Sequence, residues 1–118
     1  MRIATRQAGI YRVFSIEEDL GLSSSISQLK DQITAALERG VRDVALRFSR
    51  NSYLSTRTIA TLVNCFEDVK DRGGRLAIVD PNEDIVEILS MIDFDKVVSF
   101  FPTEELLARS EAGASVPA

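Results

Sequence analysis

The sequence predicts a single α/β domain built on a mixed β-sheet, and three observations carry that reading. Segments with apolar residues at alternate positions are followed by segments with apolar residues at every third or fourth position, the periods of strands and helices. The first two strand-like segments follow one another directly, as in a hairpin. Each later one is reached through a helical segment long enough for a parallel crossover. The length, 118 residues, lies below the size at which one core usually splits into two.

The first two strands are expected near residues 2–6 and 10–16. Ile10, Arg12, Phe14 and Ile16 alternate with Tyr11, Val13 and Ser15, a pattern rich in β-branched and aromatic residues. Residues 3–5 pair with it across a turn at Gln7-Ala8-Gly9. Ser23, Ser24 and Ser25 offer N-cap chemistry after Gly21, and Ile26, Leu29, Ile33, Ala36 and Leu37 recur at helical spacing up to Gly40. The first helix is therefore placed over 24–39. In residues 42–48, Val44, Leu46 and Phe48 alternate with Asp43, Ala45 and Arg47, giving the third strand.

Beyond a polar stretch, Ile59, Leu62, Val63, Phe66 and Val69 place a second helix over 57–72, closed by Gly73-Gly74. Residues 75–79 form a short apolar run between glycines and a proline, the mark of a buried strand. Asp80, Pro81 and Glu83 read as N-cap, first helical residue and capping-box partner of a third helix lined by Ile85, Ile88, Leu89 and Ile92. A last strand near 97–100 leads to a short helix opening at Thr103, with Glu104 and Glu105 in its first turn and Leu106 and Leu107 in the core. Because the early strands alternate while the middle ones are almost continuously apolar, the helices are expected to cluster mainly on one face of the sheet. The domain is placed over 1–109, with 110–118 as a flexible C-terminal tail.

Missing residue types narrow the chemistry. There is no His, no Trp and a single cysteine, Cys65, which removes histidine general bases, Ser-His-Asp and Cys-His triads, Cys/His zinc sites and an intrachain disulfide. Cys65 lies beside the apolar stripe of the second helix and reads as a packed thiol. The acidic run Glu17-Glu18-Asp19 lacks the glycine-punctuated Asp/Asn loop of a calcium site and reads as a solvated turn. Gly73-Gly74 has no following lysine and is a turn, not a phosphate loop. No catalytic residue, metal or cofactor is expected.

The net charge of −4 argues against a nucleic-acid partner. Residues 1–66 hold nine Arg and Lys against six Asp and Glu, whereas residues 67–118 hold five against twelve. That polarity suits partner recognition or self-association, including a homodimer, as well as simple solvation. Apolar runs are only a few residues long, far short of the roughly 20 that a membrane span requires. The charged start, with no apolar stretch behind it, lacks the pattern of a secretory signal, and a cytoplasmic location is expected.

Three stretches, in this order, resemble the STAS domain of sulphate transporters and anti-sigma factor antagonists: Leu22-Ser23-Ser24-Ser25-Ile26; the third strand and its continuation from Leu54-Ser55-Thr56-Arg57-Thr58-Ile59; and Arg72-Gly73-Gly74-Arg75 leading through the fourth strand to Asp80-Pro81. The resemblance runs from about Gly9 to Arg109. It implies a STAS-type mixed sheet with an N-terminal hairpin and about four helices. In that family the loop after the third strand commonly reads Asp-Ser-Ser-Gly-Leu, with a phosphorylatable hydroxyl at the start of the second helix. Here the run is Ser55-Thr56-Arg57-Thr58-Ile59: Ser55 replaces the acid, Arg57 stands at the usual acceptor, and Thr58 replaces the glycine. Members resembling stressosome proteins place Ser or Thr directly after the acid, the position of Thr56. Arg47 stands where the family often has Asp, which makes this loop more basic.

The resemblance thus implies a non-catalytic regulatory module that binds a protein partner, such as an anti-sigma factor with serine kinase activity. Thr56 is the expected phosphorylation position, and Arg50, Leu54, Ser55, Thr56, Arg57, Thr58 and Ile59 form the expected contact surface. Physical chemistry agrees on the place: a helix N-terminus presents free N–H groups and the positive end of the dipole to a phosphate. Arg47, Arg50 and Arg57 add charge-assisted donors. The competing explanation is that Ser55 or Thr56 simply caps the helix. The alternatives in function are a constitutive accessory or scaffold subunit that is not phosphorylated, and a small-ligand or nucleotide-binding domain.

Overall fold

In the computed structural model, which describes residues 1–110, β1 (Ile3–Ala8) and β2 (Tyr11–Ile16) pair antiparallel with Ile3 opposite Ile16 and Ala8 opposite Tyr11. The hairpin turn is Gly9-Ile10, two residues later than the expected start. Gly9, at φ +61°, takes the first central position, the place glycine holds in a type II′ turn. After α1 (Ser27–Glu38), β3 (Asp43–Arg47) pairs parallel with β2. Next, α2 (Thr56–Asp71) leads to β4 (Leu76–Val79), parallel to β3. Finally α3 (Glu83–Met91) and a 3₁₀ turn at Phe94–Lys96 lead to β5 (Ser99–Phe101), parallel to β4, and α4 (Glu104–Arg109) follows. The strands lie in the order β1-β2-β3-β4-β5. Residues 111–118, nearly all of the expected tail, lie outside the described residues.

The sheet's two faces are covered unequally, in line with the expected clustering. Phe14, Leu46 and Ile78 point to the face that buries Leu29 and Ile33 of α1, Leu62 and Val69 of α2, and Ile85 and Leu89 of α3 in one continuous core. On the opposite face Tyr11, Val13, Ala45, Ala77 and Val79 meet, among the described residues, a single helical residue, Leu107 of α4. Leu106, expected in the core beside it, is exposed, because a short helix lying flat on a sheet buries one side only.

Both long crossovers end in the same way. Gly40 N–H donates to Leu37 O and Val41 N–H to Ala36 O after α1; Gly73 N–H donates to Lys70 O and Gly74 N–H to Val69 O after α2. These are Schellman motifs, with Gly40 (φ +103°) and Gly73 (φ +81°) in the positive-φ position that L side chains avoid. Gly74 has a second role: a Cβ there would overlap the carbonyl of Arg42 where the chain enters β3.

Two helix starts differ from expectation. The first helix begins at Ser27, with Ile26 at the cap position and no side-chain cap; Ser24 Oγ instead accepts from Gly21 N–H at 2.8 Å, closing the loop. Asp80 does not cap the third helix. It takes a left-handed conformation (φ +51°), which Asp tolerates, and Asn82 is the cap, accepting from Ile85 N–H at 2.8 Å. Strand β5 also begins later than the expected 97, because Val97 N–H and Val98 N–H both return to Phe94 O in the 3₁₀ turn.

The outlying α4 is tethered by charge. Arg6 of β1 donates from Nε and Nη2 to the two carboxylate oxygens of Glu104, each at 2.7 Å, and this pairing holds the Glu104 carboxyl below the usual carboxylate range.

Two outcomes follow for denaturant unfolding. Gly74→Ala is expected to cost at least about 2 kcal/mol through backbone overlap, and Gly40→Ala, which has open space, about 1 kcal/mol from conformation alone. Glu104→Gln is expected to lower stability at pH 7 by about 0.5–1 kcal/mol, the range of a half-exposed pair. Because the folded pKa is depressed, that difference should be fully present above the unfolded carboxylate value of about 4.3 and close as pH falls through the lower folded value.

Candidate functional site

The loops that follow β2, β3 and β4 converge at the carboxyl end of the parallel strands, and short polar side chains fasten them together. Ser52 Oγ accepts from Leu20 N–H at 3.0 Å and shares a hydrogen bond with Ser49 Oγ at 2.8 Å. Ser49 in turn donates to Asp19, and Tyr53 N–H donates to Leu20 O at 2.8 Å. From the other side, Asn82 Nδ2 donates to Arg50 O at 2.9 Å and to Ser52 O at 3.0 Å. The segment between β3 and α2 is thereby held along both flanks.

At its end the segment enters α2 through Ser55. Its Oγ accepts from Thr58 N–H at 3.2 Å and contacts Thr58 Oγ1 at the same distance, so Ser55 is the cap and Thr56 the first helical residue. Of the expected contact surface, Leu54, Ser55 and Thr58 face inward, and Leu54 and Thr58 are almost wholly buried. Thr56, Arg57 and Arg50 are exposed and Ile59 is partly so. Two hydroxyls of the run therefore serve the fold, and Thr56 is the hydroxyl residue of the run that is exposed. The cap leaves the N–H groups of Thr56 and Arg57 unused, beside that hydroxyl.

Sequence reasoning missed Tyr53, which is 46% exposed immediately before the buried Leu54. It also missed the cleft of about 380 Å³ lined by Arg50, Asn51, Ser52, Tyr53, Asn82, Glu83 and Asp84. The available signal was Asn82 itself: Asn caps as well as Asp does, and Glu83 and Asp84 fill the first turn behind it.

The loop is less basic than expected. Arg47 points to the α4 face of the sheet, away from α2, and its Nη2 pairs with Asp80 Oδ2 at 3.1 Å. Arg50 and Arg57 remain at the loop, with Glu83 and Asp84 across the cleft. Each member of the acidic run is turned to a separate partner. Glu17 accepts from Ser15 Oγ, Glu18 from Arg2 N–H, and Asp19 from Ser49 Oγ. Cys65 is buried in the core, and burial, with Asp68 nearby, pushes its thiol up to about 11, so the reactive thiolate is suppressed.

The family model of the STAS domain matches residues 2–107. This chain belongs to the STAS domain family. Two curated relatives are provisionally named anti-sigma factor antagonists, one from Thermotoga maritima, 27% identical over 67 residues, and one from Thermotoga neapolitana, 28% identical over 67 residues. The matched segment covers 57% of this chain and 59% of each relative. The crystal structure of the Thermotoga maritima protein superposes with a TM-score of 0.73 at 18% identity over 86% of each chain. A structure of the Bacillus cell-fate determinant SpoIIAA in its phosphorylated form superposes with a TM-score of 0.70 at 14% identity, covering 92% of this chain and 98% of that chain. At such identities the likeness is one of fold.

The two adjacent hydroxyls are separable by stability. Ser55→Ala should cost about 1 kcal/mol as the lost cap, whereas Thr56→Ala should stay within about 0.5 kcal/mol of wild type in the same urea titration.

Proposed function

We propose that this STAS domain is a non-catalytic regulatory module of the anti-sigma factor antagonist type, which binds a protein partner through the start of α2 and the loop before it. The observation that carries the reading is the division of labour between neighbours: Ser55 is consumed as the helix cap, while Thr56 stands exposed at the first helical position next to unused N–H groups and Arg57. The names of the curated relatives support a partner-binding role. The lack of histidine and the suppressed Cys65 thiolate support a role without catalysis. A cytoplasmic location and a partner with serine/threonine kinase activity belong to the same reading. Among the described residues no helix is long and apolar enough to cross a membrane.

In this reading Thr56 is the switch. A phosphate there adds roughly −1.5 to −2 charge at the helix N-terminus, where the dipole favours it, and leaves the cap intact. The effect falls on affinity and not on fold. The exposed Tyr53 supplies the apolar anchor of the contact, and the new charge beside it weakens a partner that is acidic or apolar at that point.

Affinity capture from native cells with wild type, Thr56→Ala, Thr56→Glu and Tyr53→Ala, joined to phosphosite mapping by tandem mass spectrometry, tests the proposal. The expected result is phosphate on Thr56, one partner retained by wild type and Thr56→Ala, and recovery reduced about tenfold by Thr56→Glu and by Tyr53→Ala. Equal recovery by all four proteins would remove both the contact surface and the switch. Recovery sensitive to Tyr53→Ala but not to Thr56→Glu, with no phosphate on Thr56, would leave a constitutive binding subunit.

A further inference from the structure

The sheet has a six-residue edge that pairs on one side only. Strand β1 lies at the end of the strand order and, among the described residues, bonds to β2 alone. Register decides which of its backbone groups point outward. Arg2 O accepts from Glu17 N–H at 2.9 Å, and Arg2 stands opposite Glu17 in the register that sets Ile3 against Ile16. Hydrogen-bonded pairs alternate along an antiparallel ladder, so Ala4, Arg6 and Ala8 bond to β2. The N–H and C=O groups of Ile3, Thr5 and Gln7 point off the edge.

The side chains of those three residues share the face toward α1. Ile3 packs against the main core there, and Thr5 lines an open cleft of about 270 Å³ between β1, β2 and α1. Phe14 forms its apolar floor, Gln32 lies on the α1 side, and Arg12 and Arg39 bring two guanidinium groups to it. Arg12 donates from Nε to Gln7 Oε1 at 3.0 Å. Among the described residues neither Arg12 nor Arg39 has a carboxylate partner within 4.0 Å, and the ion pairs there use Arg6, Arg47, Lys96, Arg109 and the N-terminal ammonium. In a chain of net charge −4, two such guanidiniums sharing one cleft stand out.

We infer that the β1 edge and the Arg12/Arg39 cleft together dock an extended acidic segment of a partner protein. The segment adds a strand beside β1 through the outward groups of Ile3, Thr5 and Gln7. A carboxylate on the side chain opposite Thr5 reaches over the cleft to the guanidiniums of Arg12 and Arg39. Charge selects this occupant over a second copy. A second β1 edge, Ile3–Ala8, carries no carboxylate to offer the guanidiniums of Arg12 and Arg39, whereas an acidic segment does. The surface lies two strands away from the loop that carries Thr56, so it serves a separate contact.

The test titrates the ¹⁵N-labelled full chain with a short acetylated and amidated peptide alternating Glu and Val, with its Lys-for-Glu counterpart, and with succinate. The acidic peptide is expected to shift the amides of Ile3, Thr5 and Gln7 saturably and to slow the hydrogen exchange of Thr5 and Gln7. Arg12→Gln and Arg39→Gln should each weaken it about tenfold. Thr5→Pro, which removes an outward N–H without breaking the ladder to β2, should abolish it. The lysine peptide should not bind. Equal binding of the lysine peptide, or shifts confined to residues 49–56, would overturn the proposal. Succinate perturbing Arg12 and Arg39 while the acidic peptide leaves the edge amides unmoved would also overturn it, assigning the cleft to small anions.

Discussion

The carboxamide of Asn82 accepts from the first turn of α3 and donates to the carbonyls of Arg50 and Ser52, so one side chain joins the end of β4, the start of α3 and the loop leaving β3. From Ser52 the chain of hydrogen bonds continues to Leu20 and, through Ser49, to Asp19 on the loop leaving β2. Three loops at the carboxyl end of a parallel sheet are thereby made into one surface. The position of α2, and with it the exposure of Thr56, depends on this network. Among the described residues no buried side-chain polar atom is left without a partner, which is the condition under which such a network rigidifies and does not destabilise.

The rest of the fold presents this surface. Parallel β2, β3 and β4 end at the same level, and their apolar side chains alternate between a face built by three helices and a face on which α4 packs. Arg47 illustrates the consequence of alternation. Leu46 before it belongs to the helical core and Phe48 after it does too, so Arg47 must point to the other face, where Asp80 meets it. An arginine near the loop in sequence is thus withdrawn from it in space. At the outer edge, Arg6 holds α4 through Glu104 on one face, while its neighbours Thr5 and Gln7 look toward α1 on the other.

Within the candidate site, the legible part was the part governed by local rules. A Ser-Thr-x-Thr run before an amphipathic stretch announces a capped helix start, and the structure places the cap at Ser55 and the free hydroxyl at Thr56. The choice between them depended on which residue has extended backbone, which is Ser55, at φ −74° and ψ 166°, next to the buried Leu54. Beyond the cap signal at Asn82, Tyr53 and the cleft were not legible, because their significance comes from Leu20, Asn82 and Asp84, residues about thirty positions away along the chain in either direction.

The order and period of the elements, the hairpin at the start, the glycine stops after both long helices and the exclusion of histidine chemistry are all legible along the chain. Each of these is a property of a residue type or of spacing along the chain, and needs no partner to be expressed. The cap of α3, the pairing of Arg47, the exposure of Leu106 and the identity of the edge groups on β1 follow instead from how the elements pack. Competing caps differ little in intrinsic preference, ion pairs form between whatever charges the sheet brings together, and outward hydrogen-bonding groups follow from register. Those are choices made by long-range packing, and no local stretch of this chain contains the information that settles them.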